Sequence, residues 1–372
     1  MEDNRLITIA VHKKEKAKIL EQILQREGID VVLEEIKDEE SEHVSGIAIR
    51  IKSSDLSRSL AIIEGSKLSK YNDPDVLKID GVRKRVLVSV DFSDYSMKAC
   101  QVAFNIAKEI GAKIKILHVY HNFYYPSSFP FADTLKDTPD EGMLSKARKQ
   151  MLNLCVEIEQ NITNGILPSV NYSYSLREGL VEEEIELFVK EYQPVLLVTG
   201  TKGKDNNQSN LLGSVTADII EMTDVPVLAV PENSPIDTIE DVKHVAFLTN
   251  LQQRDLVSFD MLVKLLKPYP NIRITLIHIN RINRKGDKLP EEQLIRMKNH
   301  FEEQYPQINI SYQLIENPDL PLAINEYAMQ QGVALIALNT RKRNILGRMF
   351  WPSISRKVLF KSNIALLVLR GQ

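Results

Sequence analysis

The chain repeats itself. The segment from Lys84 to Tyr120, KRVLVSVDFSDYSMKACQVAFNIAKEIGAKIKILHVY, has a counterpart from Lys243 to Asn280, KHVAFLTNLQQRDLVSFDMLVKLLKPYPNIRITLIHIN. Aligned, Asp91 falls opposite Asn250 and His118 opposite His278. Two later apolar runs also agree, VLLVTG from Val195 with LIALNT from Leu335, and PVLAV from Pro226 with IALLV from Ile364. A self-similar chain is built from copies of one unit. Here each copy alternates continuous apolar runs with amphipathic stretches, which predicts parallel strands buried on both faces by helices. With 372 residues the chain is too long for one core, so two α/β domains of roughly 140 residues each are expected.

In the first copy the patterning predicts strand one at Val86–Val90, a helix over Asp94–Ile110 stopped by Gly111, and strand two at Lys115–Val119. A long helix over 139–162, strand three at Ser169–Leu176, a helix over Val181–Tyr192, strand four from Val195 and strand five at Pro226–Val230 follow.

Ahead of the repeats, 1–75 reads as a small α+β module. Its strands are Arg5–His12, Ile29–Ile36 and Gly46–Lys52. A helix over Lys14–Arg26 places Ile19, Leu20, Ile23 and Leu24 on one face, and a second helix capped at Ser54-Asp55 carries Leu56, Leu60 and Ile63. Nothing in it forms a titratable cluster, so a regulatory or interaction role is expected. The polar stretch 76–84, with Asp-Pro and Asp-Gly steps nearby, reads as a linker. The repeats then occupy 85–233 and 243–372.

Composition removes several function classes. Forty-seven basic and 50 acidic residues leave a net charge of −3, so no general field draws nucleic acid or an anionic membrane. No apolar run approaches a membrane span and the N-terminus MEDNRLITIAVHKKEK lacks a signal-peptide centre. Cys100 and Cys155 fall on apolar helix faces without ligand spacing and are expected as reduced core thiols. A cytoplasmic location follows as an expectation. His118 and His278 sit at equivalent strand positions without ligand neighbours and read as traits of the repeat.

The chemistry-bearing stretch is Val195–Thr216, VLLVTGTKGKDNNQSNLLGSVT. An apolar strand ends at Gly200, a polar loop carries Gly203, and Gly213-Ser214 opens a helix. Glycines let backbone N–H groups line a concavity, and a helix start adds unpaired donors and partial positive charge, a surface that suits phosphate. No Walker G-x4-G-K-[ST] and no GxGxxG occurs.

With its G-x2-G-x9-G-S spacing, the chain resembles the universal stress proteins. The resemblance implies five-stranded parallel sheets in the order 3-2-1-4-5, with a crevice at the carboxyl ends of strands one and four. It also implies that ATP, or AMP or ADP, with Mg2+ as a candidate companion, is held by Asp91, Val119, Gly200, Thr201, Gly203, Gly213, Ser214, Val215 and Thr216. Gly179 fits a family glycine after strand three. Asp91 reads equally as part of a helix cap within DFSD, and Lys202 and Lys204 border the loop.

The second copy departs from this pattern. Asn339, Lys342 and Pro352-Ser353 replace the glycines, and Asn250 replaces Asp91. It is therefore expected not to hold ATP in this manner, and the basic run Arg341, Lys342, Arg343 is expected to be a solvated face. The resemblance further implies pairing of two such domains, within the chain or between two chains. The last strands, Val227–Val230 and Ala365–Leu369, are expected to meet edge to edge and so remove two exposed edges. The aromatic insertion at 120–134 is expected to pack internally or against a partner.

No distinctive general base or Mg-binding carboxylate set is visible, so hydrolysis is expected to be slow at most. The function expected is a nucleotide-binding signalling adaptor in a stress response. A pure interaction protein with a vestigial loop is the first alternative. An adenine-nucleotide enzyme of pyrophosphatase or adenylyltransferase type is the second, although VDFSDYS matches neither the SGGxDS nor the HxGH signature of those enzymes.

Overall fold

A computed structural model of the chain describes residues 6–12, 14–37, 44–55, 58–59, 62, 84–121, 142–201, 214–234, 236, 241–266, 271–280, 289–340 and 364–370. In chain order the elements begin with β1 Leu6–His12, α1 Lys14–Arg26, β2 Val31–Lys37 and β3 Val44–Lys52. The first repeat has β4 Arg85–Ser89, α2 Asp94–Glu109, β5 Lys113–Tyr120, α3 Met143–Thr163, β6 Tyr172–Glu178, α4 Val181–Tyr192, β7 Leu196–Gly200, α5 Ser214–Met222 and β8 Val227–Val230. The second has β9 His244–Leu248, α6 Gln253–Leu266, β10 Arg273–Asn280, α7 Leu289–Gln304, β11 Asn309–Glu316, α8 Leu320–Gln331, β12 Leu335–Asn339 and β13 Ala365–Leu369.

These elements fall into two units, 1–85 with 111–184, and 86–110 with 185–372. In the first unit, β1, β3 and β2 form an antiparallel sheet in that order. Helix α1 packs on it through a buried stripe of Ala17, Leu20 and Leu24, and Gly28, with φ 76°, ends the helix. Ile19, expected on that stripe, is 47% exposed. It lies one residue, about 100° of helical rotation, from Leu20, and Ala17 takes the inward place instead. Past the 3-10 turn Ser53–Asp55, Leu56, Leu60 and Ile63 lie outside the described residues. The same unit holds the parallel pair β5 and β6. Helix α3 packs against that pair, with the Tyr172 hydroxyl donating to Glu159 Oε1 at 3.0 Å. β1 also lies against β6.

The second unit carries strands in the order β11-β10-β9-β12-β13-β8-β7-β4. The second repeat therefore has the full 3-2-1-4-5 order, all parallel. In the first repeat, β7 lies between β4 and β8, again parallel. The repeats join where β13 pairs antiparallel with β8, Leu366 opposite Ala229 and Val368 opposite Val227. Two edges that would otherwise be open templates thus close each other.

Strands β4, β7, β8, β12 and β13 are buried over almost their whole length, as continuous apolar runs require. Phe247, Phe259 and Phe301 form a ring cluster in the second repeat, Phe259 stacking on Phe301 at 3.7 Å. Cys100 and Cys155 are buried and stand outside any disulfide. No helix among the described residues is long and apolar enough to cross a membrane.

Candidate functional site

Val86–Ser89 pair in register with Leu196–Thr199, so β4 and β7 release the chain side by side, the position at which a doubly wound sheet opens a crevice. On the β4 side, Phe92 takes φ 61°, a left-handed turn that aims the next residues back at the strand end. The amide of Ser93 donates to Asp91 Oδ1 at 3.1 Å and its hydroxyl to the same oxygen at 2.5 Å. Ser93 is the N-cap of α2, in a reciprocal capping box with Ser96. The cap within DFSD is therefore Ser93, and the half-buried Asp91 tethers it.

On the β7 side, a Cβ at Gly200 would lie 2.8 Å from Tyr95 Cβ and 2.9 Å from the Tyr95 carbonyl carbon. The missing side chain lets the first turn of α2 approach β7, a packing reason for glycine beside the one that phosphate would give. Thr201 is buried, its amide donating to the Val230 carbonyl at 3.1 Å. Thr216, also buried, spends its hydroxyl on the Gly200 carbonyl at 2.8 Å, which ties the first turn of α5 to the end of β7. Ser214 begins α5 and Val215 is 38% exposed. Gly203, Gly213, Lys202 and Lys204 lie outside the described residues, as does the aromatic insertion beyond His121.

Val119 is buried near the end of β5 in the other unit. There Gly179, with φ 151°, donates its amide to the Tyr120 carbonyl at 3.1 Å, and a Cβ on it would meet Glu184 Cγ at 2.8 Å. Sequence reasoning missed Tyr95 and Glu232. Burial raises the Tyr95 phenol pKa, and the Glu232 carboxylate, accepting its hydrogen bond, raises it further. No sequence signal joins residues so far apart.

The second repeat builds the same turn from different side chains. β9 and β12 pair as β4 and β7 do, which places Asn339 where the first repeat has Gly200, and Leu251, with φ 58°, matches Phe92. Here the organising carboxylate is Asp255, on the helix and 1% exposed. Its Oδ2 accepts from the Thr249 hydroxyl at 2.7 Å and from the amides of Asn250 at 3.0 Å and Gln252 at 3.2 Å. Its Oδ1 accepts from Asn339 Nδ2 at 3.2 Å. Arg341, Lys342, Arg343, Pro352 and Ser353 lie outside the described residues.

His278 Nδ1 sits 2.9 Å from the Thr249 carbonyl, and both His118 and His278 stand opposite a leucine, Leu176 and Leu314. They are traits of the repeat. Among the described residues no cluster of His, Cys, Asp and Glu could hold a metal ion.

A doubly wound α/β unit, duplicated and joined through its last strands, with a glycine-bearing loop after the fourth strand of one copy, defines the class. The sequence profile of the universal stress protein family matches residues 83–231 and 256–370, and the chain belongs to that family. A universal stress protein of Methanocaldococcus jannaschii is 27% identical over 156 residues, 41% of this chain and 84% of that one. Another, of Bacillus subtilis, is 28% identical over 159 residues, 39% of this chain and 97% of that one. The crystal structure of a universal stress protein from Archaeoglobus fulgidus superposes with a TM-score of 0.57 at 16% identity, covering 77% of this chain and 96% of that one. It shares the fold.

Proposed function

We propose that the first repeat, within 85–233, binds one ATP or a related adenine nucleotide at the carboxyl ends of β4 and β7, and that occupancy is the signal this protein delivers. The observation that supports the reading is that β7 ends beside β4 and that the first turn of α5 is tied to the end of β7 through Thr216, which brings a helix start, with its partial positive charge, to the strand ends where a phosphate tail would lie. Asp91, at the β4 end, would contact the sugar. Mg2+ would accompany the phosphates. The second repeat, 243–372, does not share the task. The module within 1–75 is the element whose docking, or whose partner's docking, occupancy biases, a linkage between two sites. The protein acts in the cytoplasm as an adaptor that retains its nucleotide.

The test is release of ligand from freshly purified protein by heat, followed by mass spectrometry. An adenine nucleotide near one per chain is expected. ATP added to stripped protein at a hundred times its Kd should stabilise the fold by about 2.7 kcal/mol. Stripped protein whose melting is indifferent to ATP would favour a second reading, a pure interaction protein. That reading draws on Gly200 and Thr216, both of which already serve contacts inside the fold.

A further inference from the structure

We propose that Asp255 is a resident anion: in the second repeat the chain's own carboxylate fills a four-donor nest between the ends of β9 and β12, and that nest accepts a small external carboxylate once the side chain is removed. This inference stands whether or not the first repeat binds nucleotide.

Four donors from three places converge on one side chain. Asn250 and Gln252 supply backbone amides from the left-handed turn at Leu251, Thr249 supplies a hydroxyl from the end of β9, and Asn339 supplies its amide from the end of β12. The Leu251 amide donates to Thr249 Oγ1 at 2.9 Å, and the hydroxyl's other acceptor, Met297 Sδ at 3.7 Å, is a weaker one than Asp255 Oδ2 at 2.7 Å. A helix cap alone accounts for the Gln252 contact, since Asp255 stands at the third position of α6. It does not account for Thr249 or for Asn339, which is 84 residues away in sequence.

The first repeat has Val90 and Gly200 in those two places and a serine, Ser96, at the third helix position. There the carboxylate sits on the strand side, as Asp91. The second repeat has moved the negative charge onto the helix and added donors around it. With Asp255 1% exposed and Asn339 7% exposed, these donors between the ends of β9 and β12 already have an anion from the chain itself. Deleting the carboxylate takes the shared acceptor from these donors, Thr249 and Asn339 among them buried, and a compact anion of the same chemistry is what they would take.

The test is Asp255→Ala in the full chain, melted in sodium formate and in sodium chloride at equal ionic strength and pH. The variant should melt below wild type in chloride and recover a large part of the difference in formate, saturably, while wild type shows no such rise. Should the variant fail to fold in chloride, the same comparison reads the folded yield on refolding, higher in formate, with Asp255→Ser as the milder version. Equal, non-saturating responses of variant and wild type to formate would overturn the proposal, as would an unfolded variant that formate leaves unfolded.

Discussion

Lys115 carries its amine on a strand where burial works against the charge. It lies in the middle of β5, half-buried, and burial, then neighbouring Lys113 and Arg177, bring its pKa from 10.5 down to about 7. Lys113 falls to about 8 by burial. Because the folded pKa lies below the unfolded one, below about pH 7 both states hold the proton and the folded state bears the full penalty. Between about 7 and 10.5 the unfolded chain holds a proton that the folded chain has shed, so stability rises with pH through that window. Lys115→Met should therefore raise the urea midpoint at pH 6, with the gain shrinking steadily toward pH 10. A gain indifferent to pH would contradict this. Nothing in the sequence marks the shift, since KIKIL reads as an ordinary alternating strand and the two cations become neighbours only through the pleat.

At the scale of elements, the seam between α2 and β7 depends on one missing carbon. Gly200→Ala places a methyl 2.8 Å from Tyr95 Cβ and 2.9 Å from backbone, atoms that move only with the helix. A loss of about 1–3 kcal/mol is expected, read by urea unfolding, and a neutral variant would show that α2 yields freely. The boundaries of α1 and α4 were legible in sequence because local signals set them: Gly28 stops one, and Gly179 together with the apolar spacing positions the other. The edge pairing of β8 with β13 was expected from the resemblance to a family whose domains pair, and the structure has it. The spacing of Gly200 with Gly203 and Gly213 suggested a ligand role, and its contact with Tyr95 was not foreseen. That contact spans 105 positions, beyond any local pattern. The Asn339–Asp255 contact was hidden for the same reason. The loss of glycine at 339 was plain, whereas the carboxylate that the asparagine meets was not.

In the whole molecule, duplication has produced two unlike halves on one framework. The seam is a strand pair, β8 with β13, and at its end Arg370 is 7% exposed, its Nη1 donating to the Thr340 carbonyl at 3.2 Å. Burial pulls the Arg370 pKa down to about 10, with Asp224 and Glu221 of the first repeat opposing that fall. The second repeat thus keeps a cation at the seam, within the field of Asp224 and Glu221 of the first, while satisfying its own crevice with an anion. The first has glycines at 200, 203 and 213 in the sequence that follows its fourth strand. The central claim is that this asymmetry makes one nucleotide site per chain. Calorimetric titration of ATP and Mg2+ into the stripped intact chain, beside a Gly213→Asp variant whose melting confirms that it folds, measures it directly. One site per chain, abolished in the variant, is the predicted result; two sites per chain, or tight binding that survives the aspartate, would contradict it.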